Sequence, residues 1–239
     1  MFRLLIERSV SPAEMAQLAK GRLKANYEAL ELALECRMWL HHSFIFQDPL
    51  SQIESLDATI AKFDEQIQEY CRPFDAAVEQ LDTIPGVARE TAEIIVSEIG
   101  IDMSRFPTAD HLASWAGVAP GNNESAGKRL SGRTTKGNRA LVAALTQAAW
   151  AASHTKNTYL SAQYRRMAAR RGRKRAIVAV AHSILIIAYQ LVKNHETYHD
   201  LGSDYFDKRN PQTTAKRLMR RLEKLGYSVT MEKSIPIPV

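Results

Sequence analysis

Apolar residues spaced alternately three and four positions apart constrain the fold of this chain most, because they run through residues 53–74 without interruption. The set is Ile53, Leu56, Ile60, Phe63, Ile67, Tyr70 and Phe74. This spacing is typical of a coiled-coil seam, whose a and d residues face a partner helix. The partner can be the helix before it, in a helical hairpin, or a second chain. The spacing does not decide between them.

Helical spacing also dominates elsewhere in the chain. It predicts one long helix over residues 11–44, a break at Asp48-Pro49, and an end or kink at Pro73. Shorter helices are predicted over residues 91–99, 111–117, 140–152, 176–192 and 213–225. We therefore predict an all-α fold. Its parts are a helical linker or coiled coil at residues 1–78, a helical domain at 79–207 and a basic tail at 208–239.

Charge is segregated along the chain. Residues 1–124 contain 10 Lys and Arg against 20 Asp and Glu, whereas residues 125–195 contain 14 Lys and Arg and no Asp or Glu. Solvated helical faces usually mix signs, because like charges repel one another. The acid-free stretch therefore predicts a phosphate backbone as partner, with an affinity that falls steeply as salt rises. An acidic membrane surface is the alternative partner.

The membrane alternative can be tested on the most apolar run of the chain, residues 176–192. A membrane span needs roughly 20 predominantly apolar residues, and this shorter run contains His182 and Ser183. We expect a buried core helix and no membrane partner. The N-terminal residues lack the apolar core of a secretory signal, so a cytoplasmic location is expected. Cys36 and Cys71 form no CxxC pattern, which argues against a disulfide framework or a thiolate zinc site.

A turn of the form apolar-Pro-Gly-apolar, around Pro85 and Gly86, precedes the helix predicted at residues 91–99. Such a turn is typical of a helix-hairpin-helix element. Its glycine lets the backbone approach a phosphate, and the helix start supplies a partial positive charge. A plain turn between two helices is the alternative.

Small, polar and basic residues fill positions 120–138, which is typical of a long functional loop. The loop holds two candidate nucleophiles, Ser125 and Ser131. A serine that attacks a phosphodiester needs positioning, loss of its proton, and cations around the phosphorus. The loop has cations but no obvious base, so serines that merely shape a phosphate-binding loop are the alternative. The candidate cationic contacts are Lys128, Arg129, Arg133, Lys136, Arg139, Arg165, Arg166, Arg170, Arg171, Arg173 and Lys174.

Cofactor signals are weak. The spacing GxxxxGK[ST] of a nucleotide phosphate loop is absent. His195 and His199 lie near several carboxylates, but we expect a polar helix end there and no metal site.

Several segments together resemble the transposases of the insertion-sequence 110 type, also described as the 116/110/902 group. The segments are LDTIPGV (81–87), EIG (98–100), FPT (106–108), LASWAGVAPGNNESAGKRLSGRTTKGN (112–138), YLSAQYRRMAARRG (159–172) and AVAHSIL (179–185). The resemblance extends from about residue 17 to residue 206.

The resemblance implies a helical transposase domain with a catalytic serine, which falls on Ser125, with Ser131 as the fallback. It also implies a coiled-coil linker, an N-terminal RNase H-like domain with four metal-binding carboxylates and, in some members, a structured guide RNA. Residues 1–239 begin at the linker, so we expect no cofactor in this chain and Mg²⁺ only with the RNase H-like domain. The expected partners are DNA, a guide RNA, and a second copy or a full-length transposase through residues 53–74. The alternative function is a non-catalytic nucleic-acid binder or an inhibitor of the full-length enzyme.

Overall fold

A computed structural model describes residues 2–7, 10–35, 40–121 and 123–230. The chain divides into two compact units, residues 1–72 and 73–239. Helices make up both units, and the strands of the described residues form one two-stranded antiparallel hairpin. The predicted all-α fold is therefore confirmed. The end of the predicted basic tail, residues 231–239, lies outside the described residues.

The first unit contains several helices where one was predicted over residues 11–44. They are α1 (Phe2–Glu7), α2 (Pro12–Gln17), a 3₁₀ turn (Gly21–Asn26), α3 (Tyr27–Leu34) and α4 (Leu40–Cys71). The prediction of one helix was wrong because α2 ends at Gln17 and Gly21 takes a φ of +61°, which an α-helix does not accommodate. Residues 36–39 of the predicted helix lie outside the described residues.

Helix α4 also runs through the break predicted at Asp48-Pro49. A proline inside a helix removes one backbone hydrogen bond, and it can kink a helix without ending it. The prediction of a break at this proline was therefore wrong. At the other end the prediction holds, because α4 stops at Cys71 and the chain turns through a 3₁₀ segment that contains Pro73.

The apolar seam of residues 53–74 is exposed to solvent. All seven of its side chains are exposed, including Leu56 at 62% and Phe63 at 64%. The buried apolar residues in the described part of the first unit are few, namely Met15, Ala16 and Ala19. The described residues of the first unit therefore leave the seam without a covering helix.

The second unit is a helical domain with one small hairpin. Its elements are α5 (Asp75–Asp82), α6 (Arg89–Ile99), a 3₁₀ turn (Met103–Arg105), α7 (Ala109–Ala116), β1 (Asn123–Ser125), β2 (Lys128–Ser131), α8 (Arg139–His154), α9 (Tyr159–Arg171), α10 (Arg173–Asn194), α11 (Tyr205–Arg209) and α12 (Pro211–Lys224). The helices predicted at residues 91–99, 111–117, 140–152, 176–192 and 213–225 all appear, with slightly different bounds.

Helix α10 is the central helix of this unit and packs against α5, α7, α8 and α9. Val180, Ile184 and Leu185 on α10 are fully buried. Among the described residues, α10 is the one helix long and apolar enough to cross a membrane, and more than half of its most apolar window is buried inside the protein. Its apolar sequence is therefore accounted for by the core of the second unit.

Candidate nucleic-acid interface and serine hairpin

The loop predicted at residues 120–138 projects as a hairpin whose two arms meet at its base, and residues 117–138 are called the finger below. At its base, Gly117 and Gly137 pack backbone to backbone, and a Cβ atom on Gly137 would overlap the carbonyl of Ala116. Further out, the Gly121 N–H donates a hydrogen bond to the Arg133 carbonyl at 3.0 Å. Strands β1 and β2 form the tip. Glycine is needed at the base because a side chain there would push the two arms of the finger apart.

Ser125 lies at the tip of the finger, where it is the last residue of β1. It pairs with Lys128 across a two-residue turn, whose Ala126 and Gly127 have φ angles of +50° and +73°. Positive φ at both turn positions matches the twist of a tight hairpin. Ser125 is exposed, and no side chain of the described residues hydrogen-bonds its hydroxyl. Among the described residues, the Ser125 hydroxyl therefore has no side-chain competitor for a ligand.

Ser131 has a different environment. Its hydroxyl oxygen accepts a hydrogen bond from the Arg133 N–H at 3.1 Å. A serine that bonds the backbone two residues on stabilises a local turn. Ser131 is also half-buried. Its side chain thus already has a part in shaping the finger.

Asn138 anchors the finger to the helical core. Its Oδ1 accepts a hydrogen bond from the Leu141 N–H at 3.0 Å and caps α8, and its Nδ2 donates to the Glu98 carboxylate on α6. Arg139 follows as the first residue of α8 and is exposed. One side chain therefore fixes where the finger ends relative to two helices.

The predicted cations of the finger lie along its length. Lys128 is at the tip beside Ser125, Arg133 follows β2, and Lys136 lies on the returning arm; all three are exposed. The backbone of Arg129 lies in β2, while its side chain lies outside what the structure describes.

Helices α9 and α10 meet at Gly172, whose φ is +83°, and concentrate positive charge at that junction. Arg170 and Arg171 end α9, and Arg173 and Lys174 begin α10. Cations at a helix C-terminus are favourable, but cations at a helix N-terminus oppose the macrodipole. The first turn of α10 contains no acidic residue. An anion bound at this junction would relieve that repulsion.

A groove of about 1030 Å³ lies between the finger and this junction. It brings together Arg133 from the finger, Arg171 from α9 and Lys174 from α10. Sequence reasoning did not assign a contact to the remaining cation of the groove, Arg175, or to four polar side chains that line it: Thr134, Gln163, His182 and Ser183. Lys174, Val178 and His182 recur four positions apart on α10, and that spacing was the available signal.

His182 is half-buried in this groove. Burial lowers the pKa of its imidazole, and the charge of Asp110 opposes that shift. The neutral imidazole is therefore favoured in the folded protein.

Two other predicted arginines already have partners inside the second unit. The Arg165 guanidinium donates to the Ser161 hydroxyl at 3.2 Å, and the Arg166 guanidinium lies over the Phe206 ring, 5.3 Å from its centroid. Both side chains stand apart from the groove lining. Their contact with nucleic acid stays a prediction.

The Pro85-Gly86 turn packs against α8. A Cβ atom on Gly86, whose φ is +88°, would lie 2.5 Å from the Ala148 carbonyl oxygen and 2.9 Å from the Ala152 Cα. The close backbone approach that this glycine permits is thus to a helix of the same unit. Its predicted contact with a phosphate stays a prediction.

No group of three or more metal-ligating side chains comes together among the described residues. Near the end of α10, the Asp200 carboxylate instead accepts hydrogen bonds from the Tyr159 and Gly202 N–H groups and from the Tyr198 hydroxyl. Burial and this carboxylate raise the pKa of Tyr198. The site therefore fixes the loop after α10.

Known proteins match much of this chain. Residues 78–165 match the family model described as "Transposase IS116/IS110/IS902 family", which covers the region from α5 to the middle of α9. The "Pilin gene-inverting protein" of Moraxella bovis is 29% identical over 146 residues, which are 59% of this chain and 45% of the relative.

Two further relatives come from insertion elements. The "Insertion element IS110 uncharacterized 43.6 kDa protein" of Streptomyces coelicolor is 24% identical over 212 residues, 81% of this chain and 52% of the relative. The "Transposase for insertion sequence element IS1111A" of Coxiella burnetii is 28% identical over 152 residues, 62% of this chain and 41% of the relative. The chain spans about half the length of the curated relatives it matches, and its residues 78–165 are similar to the IS116/IS110/IS902 family of transposases.

Proposed function

We propose that this chain acts in DNA transposition in the cytoplasm, as the DNA-binding part of a serine-using transposase. The observation that carries the proposal is the convergence of exposed cations from the finger, α9 and α10 in a stretch that contains no acidic residue. Cations that replace condensed counterions on a phosphate backbone supply sequence-independent affinity. DNA is therefore the partner that this surface fits.

Ser125 is the proposed nucleophile. Its oxygen would bond to the phosphorus of the DNA backbone, the hydroxyl proton would leave to a base, and a deoxyribose oxygen would depart. Lys128 stands beside it at the tip, where its charge can stabilise the phosphate as negative charge develops. Within the described part of the chain no side chain bonds the Ser125 hydroxyl, which supports Ser125 over Ser131, whose oxygen accepts a backbone hydrogen bond.

The described residues of this chain do not fit a divalent metal site, because they contain no cluster of three ligating side chains. Strand cleavage in the proposal depends on the carboxylates of an RNase H-like domain, supplied outside residues 1–239. A guide RNA is part of the proposal as a second polyanion, since cations that contact phosphates serve RNA as well as DNA.

Self-association through residues 53–74 is the proposed route to an active assembly. The seam exposes a continuous row of large apolar side chains, and exposed apolar patches of this kind mark protein interaction sites. A parallel pair of seams places Asp57 and Asp64, at the e positions, opposite the uncharged g residues Gln52 and Thr59. Two copies can therefore pair without like charges facing each other across the seam.

A non-catalytic nucleic-acid binder is the second candidate function. It is favoured by the absence of any imidazole or carboxylate hydrogen-bonded to Ser125 within the described part of the chain. Such a binder would still dimerise with a longer transposase through the seam and would inhibit it.

Covalent capture separates the two functions. The chain is incubated with nicked duplex DNA and a separately produced RNase H-like domain of a full-length relative, and protein–DNA adducts are resolved on denaturing gels. The proposal expects adducts with the wild type and with Ser131→Ala, and none with Ser125→Ala. Adducts that persist in Ser125→Ala would contradict the assigned nucleophile, and no adduct with any variant would favour the non-catalytic binder.

A further inference from the structure

The groove between the finger and α9–α10 contains an unsatisfied acceptor. Gln163 lies on α9 and its Nε2 donates a hydrogen bond of 2.7 Å to the Ser183 hydroxyl on α10. Its Oε1 is buried and is the one buried side-chain nitrogen or oxygen of the described residues that lacks a hydrogen-bond partner. Buried polar atoms without partners destabilise a fold, and each calls for an explanation. A donor on a ligand is one explanation.

The surroundings of Gln163 indicate which ligand supplies that donor. Arg171, Lys174 and Arg175 are exposed at the rim, where they can contact phosphates. Met167 and Val178 line the same groove and offer apolar contact to a flat ring. Phosphate contacts at the rim, an apolar wall and an amide acceptor are together the groups that recognise a nucleotide.

We propose, on the basis of the DNA-binding function above, that this groove holds an unpaired nucleotide of the bound strand. The Gln163 Oε1 accepts a hydrogen bond from the exocyclic amino group of the base, and Ser183 holds the amide in place. A base inside a duplex cannot reach an acceptor recessed between two helices, so the nucleotide has to leave the stack. Adenine and cytosine carry such an amino group and thymine does not. The groove therefore prefers an amino-bearing base.

The test compares two single-stranded DNA homopolymers of about 12 nucleotides, within the length that one binding module covers. One is made of deoxyadenosine and the other of deoxynebularine, which is the same purine without the 6-amino group. Fluorescence anisotropy measures the affinity of the full chain for each, and for a fully paired duplex of mixed sequence. Because every register offers the same base, the unknown target sequence does not matter.

The wild type is expected to bind the adenine strand about three- to tenfold more tightly than the nebularine strand, the ratio that one hydrogen bond supplies. Gln163→Met removes the amide at similar volume and should bind both strands equally. Gln190→Met on the exposed part of α10 is the matched control and should keep the wild-type ratio. The wild-type ratio is measurable even where Gln163→Met fails to fold.

Two results overturn the inference. A wild-type ratio near one would show that no acceptor reads the amino group, and an unchanged ratio in a folded Gln163→Met would show that another group reads it. If either result is found while the affinity for the paired duplex still falls steeply as salt rises, the proposed DNA-binding function still holds. Salt-independent or undetectable binding to all three DNAs would overturn the proposed function as well.

Discussion

Replacing Gly86 by alanine separates two roles for the Pro85-Gly86 turn, helix packing and phosphate contact. The added Cβ would lie 2.5 Å from the Ala148 carbonyl oxygen and 2.9 Å from the Ala152 Cα, both backbone atoms of α8 that cannot rotate away. Overpacking of this kind costs about 1 to 3 kcal/mol. The φ of +88° adds about 1 to 2 kcal/mol for a residue with a Cβ. Gly86→Ala should therefore lower the free energy of unfolding by about 2 to 5 kcal/mol.

Gly172→Ala is the matched control, because Gly172 has a φ of +83° and no atom within 4 Å of an added Cβ. It should show the backbone cost alone, about 1 to 3 kcal/mol, because a φ of +83° with a ψ of 162° lies in a region restricted essentially to glycine. Urea unfolding of both variants can be followed by tryptophan fluorescence, since Trp150 lies on α8. A Gly86→Ala variant that is as stable as the wild type but binds duplex DNA weakly would refute the packing argument and favour phosphate contact.

Three further predictions test the anchor of the finger, the groove and the seam. Asn138→Ala removes the α8 cap and the bond to Glu98, so the free energy of unfolding should fall by about 2 kcal/mol in thermal or urea unfolding. An unchanged stability would show that the finger is held elsewhere. Burial lowers the folded-state pKa of His182, so its contribution to stability is present above its unfolded pKa of about 6.5 and is lost as pH falls. His182→Gln should reduce the loss of melting temperature between about pH 7 and pH 5, whereas an identical pH profile would contradict this assignment. Replacing Leu56 and Phe63 together by lysine should convert an assembly to monomers in light scattering, and a wild type that is already monomeric at high concentration would contradict pairing through the seam.

Local patterns in the sequence predicted most of the helical domain. The helices α6, α8 and α10 carry regular apolar spacing and clear ends, such as the Asn138 cap and the glycine that follows Ile99. Both the spacing and the end signals act within a few residues, so they can be recognised without knowing the fold.

The same local reasoning failed where one residue permits two outcomes. Pro49 was predicted to end a helix and lies inside α4, whereas Gly21 was passed over and interrupts the predicted helix with its positive φ. Proline disfavours a helix interior without forbidding it, and glycine allows a left-handed conformation without requiring one. The local sequence therefore does not decide the outcome at either position.

The groove was beyond sequence reasoning for a different reason. Gln163 and Ser183 are 20 positions apart and meet only because α9 and α10 pack together. Arg133 joins them from a finger whose closure depends on the contact between Gly117 and Gly137. Sequence reasoning found most of the cations, because the segregation of charge can be read directly from the order of residues along the chain. It missed the polar lining formed by Gln163, His182 and Ser183, because these residues come together only in the folded unit.

The claim that the acid-free stretch binds a phosphate backbone is tested most directly by the salt dependence of duplex DNA binding. Two variants, each with three cations replaced by glutamine, carry the same net charge. The test set is Arg170, Arg171 and Arg173, and the control set in the acid-rich part of the chain is Lys20, Arg22 and Lys24. The slope of log affinity against log salt changes by about 0.9 for each phosphate that the protein no longer neutralises. We predict that the test variant flattens the slope by about 2 to 3 and that the control variant leaves it unchanged. An unchanged slope in the test variant, or equal flattening in both, would contradict the account.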